Sequence, residues 1–308
     1  MMPIEHNTLA IDAGQTGIRV RHDGSRIRDY AGIRTDLDIV PQLVDVVEQF
    51  CAETRLAVET VAAGASGLTA DEARADALLD GVRHLGVTAA FLAHDSITGF
   101  LGSLGPHEGA VVAAGTGVVT LGVGPAGIAR VDGWGHIIGD AGGGYWIGRS
   151  ALEAALRALD GRGEATTLTA LLKDNFSSPE AAYVELQTNP DRVRLVASFA
   201  KQVAAHAESD DVARHIIRRA GVELALSIVT ALGRAGLLDE KAPRVSWAGS
   251  LLTGVRLHTQ FEAALWKLAP GVVITPPLGL PLDGVALLPS LTEDNPLRSA
   301  IYVARSPA

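Results

Sequence analysis

The sequence predicts an α/β protein of two domains. Its hydrophobic share is 47% while aromatic residues make up only 5%, a composition typical of a core packed with small aliphatic side chains. A chain of 308 residues is long enough for one large or two ordinary domains. An internal repeat favours two, because residues 9–20 and 109–124 each read as an apolar strand, a turn of small residues and a second apolar strand. We therefore expect two half-molecules, each opening on a hairpin.

The first half alternates between strand and helix patterns. After the opening hairpin and its Asp23-Gly24 turn, Thr69 and Glu72 have the spacing of a capping box, which predicts a helix from Thr69 to about Leu85. The other segments follow from period-2 or helical spacing of apolar residues. They are strands over 25–31, 58–64 and 87–93 and helices over 37–51 and 95–104.

The second half is mainly helical after its hairpin and then returns to βα form. Helical spacing predicts helices over 145–159, 166–172, 179–186, 191–208 and 210–235. A strand over 244–248, a helix over 254–268, a strand over 272–275 and a helix from about Leu282 complete the chain. No low-complexity linker separates the halves, so we expect two domains that pack closely about a cleft.

Charge and cysteine content exclude several classes of function. A net charge of -9 argues against a nucleic-acid surface, which needs clustered Lys and Arg, and favours a small-molecule partner. The single Cys51 rules out an intrachain disulfide, a cysteine-rich zinc site and an iron–sulfur cluster built from one subunit, which makes the cytoplasm the expected location. The first residues, MMPIEHNT, lack the pattern of a signal peptide, and no membrane partner is expected.

Three glycine-bearing turns follow apolar strands. Two lie at the hairpin tips, over residues 13–16 and 114–117, where free backbone N–H groups can surround an anion. The third is Gly249-Ser250, a turn that an adenosine could lie across, although a lone strand–Gly–Ser turn is a weak signal. Together the three turns indicate nucleotide phosphates.

Two acids stand at strand ends beside these turns. Asp12 is typical of a carboxylate that holds hydrated Mg²⁺, and its alternative is an ordinary turn residue. Asp95 could accept the proton of a substrate hydroxyl that attacks a phosphoryl group, and its alternative is a helix N-cap. The matched phosphate turns favour the functional interpretation of both.

The stretch Arg130–Ser150 is a glycine-rich loop that runs into a helix. Asp140 either binds a sugar or caps the helix expected to start near Gly143. Trp134 and Trp146 fit either a sugar face or the core, and His136 has no partner at metal-ligand spacing, so it reads as a hydrogen-bonded loop residue.

The motifs LAIDAGQT, AHDSITGF, VVAAGTGV, GWGHIIGDAGGGYWIG and VSWAGS occur in this order between Leu9 and Ser250. This set resembles the N-acetylglucosamine kinase and BadF/BadG/BcrA/BcrD ATPase group of the actin, Hsp70 and sugar-kinase superfamily. The fourth motif is the most specific of them, whereas the glycine hairpins mark only the superfamily.

The resemblance implies two actin-like (ribonuclease H-like) ATPase domains, each on a five-stranded mixed sheet, around a central cleft that closes on ATP, Mg²⁺ and a sugar. The N-terminal domain would comprise residues 1–107 and a returning C-terminal helix within 282–308. The C-terminal domain would comprise residues 108–281 with a helical insertion.

Carried over by position, the resemblance also implies site residues. Asp12 would hold Mg²⁺ through water, and Asp95 would be the general base and contact the sugar. The ATP-binding positions would be Gly14, Gln15, Thr16, Gly115, Thr116, Gly117, Gly249 and Ser250. The amino sugar would meet Trp134, Gly135 and Asp140.

The implied activity is ATP-dependent phosphorylation of an amino sugar, N-acetylglucosamine or glucosamine, at its terminal hydroxyl, by a homodimer. Ala141 stands where the group usually has an acid, Gly17 where a basic residue commonly follows the first turn, and residues 33–36 lack an asparagine often found near the sugar. The alternatives are a BadF-type ATPase activator, which needs more cysteine than Cys51, and a non-catalytic nucleotide or sugar sensor, which could lose Asp95.

Overall fold

The structure is a computed structural model that describes residues 7–307. Its chain divides into two compact units. Unit 1 comprises the residues up to Val111, Val123–Ile128 and the residues from Thr275 onward, and unit 2 comprises Val112–Gly122 and Ala129–Ile274. The domain boundaries expected at 107/108 and 281/282 stay a prediction. Residues 1–6 and 308 of the predicted N-terminal domain lie outside the described residues.

The secondary structure is mixed α/β. The strands are β1 (Thr8–Gly14), β2 (Gly17–His22), β3 (Arg28–Tyr30), β4 (Thr60–Ala65), β5 (Ala89–His94), β6 (Gly109–Ala114), β7 (Val118–Gly124), β8 (Gly127–Asp132), β9 (Arg244–Ala248), β10 (Val273–Ile274) and β11 (Ile301–Arg305). The α-helices are α1 (Ile39–Thr54), α2 (Ala75–Val82), α3 (Asp95–Leu104), α4 (Gly144–Leu159), α5 (Thr169–Asn175), α6 (Ala182–Thr188), α7 (Arg192–His206), α8 (Asp211–Arg234), α9 (Val255–Leu268) and α10 (Pro281–Leu287). No described helix is both long enough and apolar enough to cross a bilayer.

The sheet of unit 1 has the strand order β11-β5-β4-β1-β2-β3. Its centre is parallel, because β1 pairs with β4 and β4 with β5 in parallel register, whereas β2, β3 and β11 pair antiparallel with their neighbours. Side chains on both faces of β1 are buried, as the apolar runs of central parallel strands require. Consequently β1, β4 and β5 all end at the same edge of the sheet.

The chain after Leu287 corrects a sequence prediction. A helix over Leu282–Ala304 was expected, but α10 ends at Leu287 and β11 follows, paired antiparallel with β5. Pro289 and Pro296 interrupt the helical hydrogen bonds, and the β-branched and aromatic run IYVAR favours a strand. The added strand gives this sheet six strands where five were expected.

The helix expected from Thr69 also begins later. The Thr69 N–H does donate to Glu72 Oε2 at 3.3 Å, which is one of the two bonds that a capping box predicts, but it closes an isolated turn. Arg74 has a ψ of 84°, which no helix continues through, so α2 starts at Ala75.

Unit 1 closes with α10 packed on α3. A Cβ on Gly284 would collide with the Thr98 carbonyl, and one on Gly102 would collide with the Leu280 carbonyl. These two glycines let the helix backbones approach, and an ion pair of 2.8 Å between Arg21 and Asp283 fixes α10 against the β1–β2 hairpin.

The second sheet has the order β10-β9-β6-β7-β8, and unit 2 adds the helices α4 to α9. In the chain, helices α5 to α7 come between α4 and the long α8. Asp210 caps α8 by accepting the Ala213 N–H at 2.9 Å, and it also accepts hydrogen bonds from Thr166 and Thr167. Asp210 therefore connects the start of α8 to the segment that precedes α5.

Candidate functional site

Three polar side chains lie where the parallel strands of unit 1 end. Asp12 is near the end of β1, Ser66 follows β4 and Asp95 follows β5. The Ser66 N–H donates to the Ala13 carbonyl at 2.9 Å, which extends the β1–β4 ladder by one residue. In open α/β sheets this edge, beyond the carboxyl ends of the strands, is where ligands bind.

Two neighbouring side chains contact the carboxylate of Asp95. The Ser66 hydroxyl donates to Asp95 Oδ2 at 2.5 Å. His94 Nδ1 lies 2.9 Å from Asp95 Oδ1 but also 3.1 Å from the Ser96 N–H. Since Nδ1 cannot donate and accept at once, Ser66 is the donor whose direction is fixed.

These contacts keep Asp95 ionised. Burial acts to raise the pKa of Asp95, but the contact with His94 in its protonated, donating form, followed by the Ser66 donor, brings that pKa below its usual range. Sequence reasoning missed Ser66 and His94. The signal available for Ser66 was a small-residue strand that ends in a polar residue, the same pattern that identified Asp12.

Asp12 is in the opposite electrostatic situation. Burial raises its pKa to about 6, with Arg19 opposing the shift and Asp95 adding to it. Arg19 lies directly across the β1–β2 ladder from Asp12. The cation that is absent at Gly17 is thus present two residues later, on the same hairpin.

The carboxylates at this edge fit a hydrated Mg²⁺. Within residues 7–307 no three His, Cys, Asp or Glu side chains are grouped closely enough to hold a metal ion. Mg²⁺ in phosphoryl-transfer sites uses one or two carboxylates, water and the phosphates of its nucleotide. Asp12 and Asp95 supply that number of carboxylates, and the cost of leaving Asp12 ionised would fall when a cation binds.

The first predicted phosphate turn, Gly14, Gln15 and Thr16, is the tip of the β1–β2 hairpin. Gln15 and Thr16 are exposed. Behind them Gly32 packs so closely that a Cβ on it would lie 2.5 Å from the Gln15 carbonyl carbon, and the Ile33 N–H donates to the Gly14 carbonyl at 3.0 Å. The turn is therefore rigid at its back and open at its front.

The second predicted phosphate turn, Gly115, Thr116 and Gly117, lies in unit 2 between β6 and β7. The Gly144 N–H donates to the Gly115 carbonyl at 2.8 Å, and the Tyr145 N–H donates to the Thr116 carbonyl at 2.9 Å. The first amides of α4 thus hold the turn in place, which satisfies donors that a helix start otherwise leaves free.

Asp140 supports the same turn. A Cβ on Gly117 would collide with Asp140 Oδ2, so a larger residue there would require the Asp140 carboxylate to move. The Asp140 carboxylate accepts the Gly135 N–H at 3.2 Å, and burial raises its pKa while the hydrogen bond from Gly135 opposes that shift. Asp140 does not cap α4, whose N-cap is Gly143. The structure brings two of the predicted sugar-binding residues, Gly135 and Asp140, to the second phosphate turn.

A second aspartate that sequence reasoning missed orders this loop. Asp132 Oδ1 accepts the Asp140 N–H at 2.8 Å, and Asp132 Oδ2 accepts the Ala141 N–H at 2.9 Å. Both aspartates have a φ of 58°, a left-handed conformation that Asp tolerates better than most residues. Trp134, the third predicted sugar residue, is 68% exposed, with the Arg130 guanidinium 5.9 Å from its ring centroid.

A cavity of about 770 Å³ in unit 2 joins two of the predicted nucleotide turns. Gly115 and Thr116 line it on one side and Ser250 on another. Gly249, next to Ser250, has a φ of 85°, and a Cβ there would collide with the Ala114 carbonyl, so this turn packs directly against the end of β6. The volume lies within the range of small-molecule sites.

The cavity also has a wall that the sequence did not predict. One face of α7 lines it, with Arg194, Ala197, Ser198, Ala200, Lys201, Ala204 and Ala205. These positions repeat at helical spacing, but nothing in the sequence says which element α7 packs against.

The fold is similar to that of solved structures described as sugar kinases. Over 91% of this chain and 98% of the other, the structure matches that of a protein from Chromobacterium violaceum described as a candidate N-acetylglucosamine kinase, with a TM-score of 0.73 and 22% sequence identity. Identity at that level shows the fold alone.

A match between the sequence and a protein-family model shows the family of this chain. The model of the BadF/BadG/BcrA/BcrD ATPase family matches residues 15–278, and the chain belongs to that family. This match confirms the resemblance inferred from the motifs.

Two curated relatives carry kinase names. The chain is 31% identical over 192 residues to the N-acetylmuramic acid/N-acetylglucosamine kinase of Clostridium acetobutylicum, which covers 60% of this chain and 62% of that protein. It is 40% identical over 76 residues to the N-acetyl-D-glucosamine kinase of Dictyostelium discoideum, covering 24% of each. The matches thus span less than two thirds of either relative's length.

Proposed function

We propose that this protein transfers the γ-phosphoryl group of ATP to the terminal hydroxyl of an amino sugar, N-acetylglucosamine or glucosamine. The observation that carries the proposal is the group of Asp12, Ser66 and Asp95 at the carboxyl edge of the parallel strands. The family and the names of the two curated relatives support the same reaction.

In this proposal Asp95 is the general base. Its carboxylate is ionised at neutral pH, and although Ser66 contacts Oδ2 and His94 lies 2.9 Å from Oδ1, each oxygen keeps a lone pair for a substrate hydroxyl. Asp95 would accept the proton of the sugar hydroxyl as that oxygen attacks phosphorus, while the bond from phosphorus to the bridging oxygen of ADP breaks. A base with a low pKa suits a loose transition state, in which the proton leaves late.

The nucleotide would contact the glycine turns. Gly14, Gln15 and Thr16 would contact its phosphates. Asp12 would hold Mg²⁺ through water, and the ion would neutralise charge on the phosphoryl oxygens. Gly115, Thr116, Gly117, Gly249 and Ser250 would contact the phosphates and the adenosine.

Trp134, Gly135 and Asp140 would contact the amino sugar. The carboxylate of Asp140 still has free lone pairs after accepting the Gly135 N–H, so it can receive a sugar hydroxyl without losing its structural role. A homodimer in the cytoplasm, and the central cleft implied by the resemblance, stay predictions.

The test is a coupled ADP-release assay with a sugar panel. The panel contains N-acetylglucosamine, glucosamine, glucose and mannosamine derivatives, together with N-acetylmuramic acid because it appears in one relative's name. Sugar-stimulated ADP release that follows the amino sugars supports the proposal. Nucleotide and sugar binding with no stimulated release would instead identify a sensor.

A substitution of Asp95 tests its assignment as the general base. Asp95→Asn keeps the shape and the Ser66 contact but removes the base, so turnover should fall by about 10²–10⁴-fold. ATP affinity should change little, which isothermal titration measures on the same sample. Unchanged turnover in Asp95→Asn would refute the base assignment.

A further inference from the structure

The 770 Å³ cavity of unit 2 has an excess of cationic residues in its wall. Three cationic residues line it, Arg194, Lys201 and Arg256, and no Asp or Glu is among its described lining residues. The chain as a whole carries a net charge of -9, so this local excess of cations is not a consequence of composition. A cavity lined by one sign of charge concentrates ligands of the opposite sign.

The three cations differ in how they are already engaged. Arg194 pairs with Asp191 at 3.4 Å, and Arg256 pairs with Glu208 at 2.8 Å. For Lys201 the structure gives no carboxylate within ion-pair distance among residues 7–307. Its ammonium is therefore the charge in this cavity that a ligand can recruit without breaking an existing ion pair.

The position of Lys201 depends on how closely α7 approaches α4. A Cβ on Gly148 would collide with the Val196 carbonyl, and a Cβ on Gly144 would lie 3.3 Å from the Ala197 carbonyl oxygen. The Gly144-x-x-x-Gly148 spacing puts both glycines on one face of α4, against α7. The next turn of α7 then carries Lys201 into the wall of the cavity that begins at the second phosphate turn.

The neighbours of Lys201 on α7 leave space for a ligand. Ala197, Ala204 and Ala205 line the cavity one turn before and one turn after it. A long side chain between small ones can lay its methylene groups along the wall and place its ammonium toward a charged group.

We propose that Lys201 contacts the phosphates of the bound nucleotide and sets the preference of this cavity for highly charged nucleotides over the nucleoside. The inference rests on the proposed function in one respect, that the ligand of this cavity is ATP or ADP. It goes beyond the glycine turns, because turn amides bind phosphate through hydrogen bonds whereas Lys201 contributes a full charge.

The test is binding of adenosine, AMP, ADP and ATP by isothermal titration at fixed ionic strength and without sugar. Lys201→Met removes the charge and keeps most of the side-chain volume. ATP and ADP affinity should fall about tenfold, as expected for one charge-assisted contact at a solvent-accessible site, while adenosine affinity should change less than about twofold. Lys201→Arg should recover most of the loss.

A matched control is Lys267→Met, an exposed lysine of α9 that does not line the cavity. It should leave the whole series unchanged. Equal losses for adenosine and ATP in Lys201→Met would show that the lysine contacts the base or ribose and would overturn the proposal. So would unchanged ATP affinity in that variant.

The nucleotide titration tests the role of Lys201 separately from the proposed kinase activity. If ATP binds in a Lys201-dependent manner but no sugar stimulates ADP release, the kinase proposal fails and the assignment of Lys201 stands. If sugar-stimulated ADP release is strong and Lys201→Met binds ATP normally, the kinase proposal stands and the assignment of Lys201 fails.

Discussion

Replacing Asp12 by Asn should stabilise unit 1 at neutral pH. The pKa of Asp12 is raised from 3.8 to about 6, with burial as the largest cause. A shift of that size corresponds to about 3 kcal/mol between the two protonation states, and the partial exposure of the side chain lowers the expected gain to about 2 kcal/mol. Asparagine has nearly the same shape and no charge, so it removes this cost.

The stabilisation expected from Asp12→Asn should depend on pH. Below about pH 4 the carboxyl is protonated in both the folded and the unfolded chain, so the natural protein and the Asp12→Asn variant should be equally stable. Between about pH 4 and pH 6 the folded state binds the extra proton, so the stability of the natural protein falls as the pH rises relative to Asp12→Asn. Above that window the difference is constant.

The assay must report on unit 1 alone. The four tryptophans, Trp134, Trp146, Trp247 and Trp266, lie in unit 2, so their fluorescence does not follow it. Hydrogen exchange of the slowest amides of β1 and β4, compared at equal pH without Mg²⁺ or nucleotide, measures the opening free energy directly. Exchange in Asp12→Asn should be about 30-fold slower at pH 7 and nearly unchanged at pH 4.

The control is Asp45→Asn, an exposed acid of α1 in the same unit, and it should change the opening free energy by less than about 0.5 kcal/mol. Equal protection of Asp12→Asn and the natural protein at pH 7 would refute the reasoning. The same gain at pH 4 and pH 7 would also refute it, because the effect would then not arise from the charge.

Two further predictions follow from single contacts. Ser66→Ala removes a donor that lowers the pKa of Asp95, so a carboxyl-detected NMR titration should show that pKa raised, and turnover should fall by about tenfold, less than in Asp95→Asn; an unchanged titration would show that Ser66 is not the controlling donor. Gly148→Ala should destabilise unit 2 by about 1–3 kcal/mol in tryptophan-monitored urea unfolding, since α4 must move away from the Val196 carbonyl. Gly233→Ala, at an open position of α8, should instead stabilise it by about 0.5–1 kcal/mol, and equal effects of the two alanines would contradict the close-packing argument.

Local patterns explain what the sequence predicted correctly. The β1–β2 and β6–β7 hairpins and β9 were predicted from apolar runs bounded by glycine, because these signals depend on neighbouring residues alone. The family was predicted from motifs that lie at those strand ends. The helix expected over Leu282–Ala304 was wrong because helical spacing and a strand are hard to distinguish in a short apolar stretch, and the pairing partner of β11 is distant in sequence.

The contacts of the candidate site were harder to predict for the same reason. Ser66 is 29 positions from Asp95, and only the parallel register of β4 and β5 brings them together. Lys201 enters the cavity wall because α4 carries Gly148 at the right place. Gly144 and Gly148, at the end of the glycine-rich stretch Arg130–Ser150, let α4 pack closely against its neighbours.

Asp12 and Asp140 both have raised pKa values, but the groups that oppose the shift differ between the two acids. Asp140 is 9% exposed and burial raises its pKa, but backbone donors that include the Gly135 N–H oppose part of that shift. Its first role is therefore to order the loop and the second phosphate turn, and any sugar contact is added to that role. Asp12 has no such donor among the causes that shift its pKa, only the charge of Arg19 across the hairpin. An acid that is left destabilising in this way is stabilised when a cation arrives, which is the behaviour expected of a residue that holds Mg²⁺ with its nucleotide.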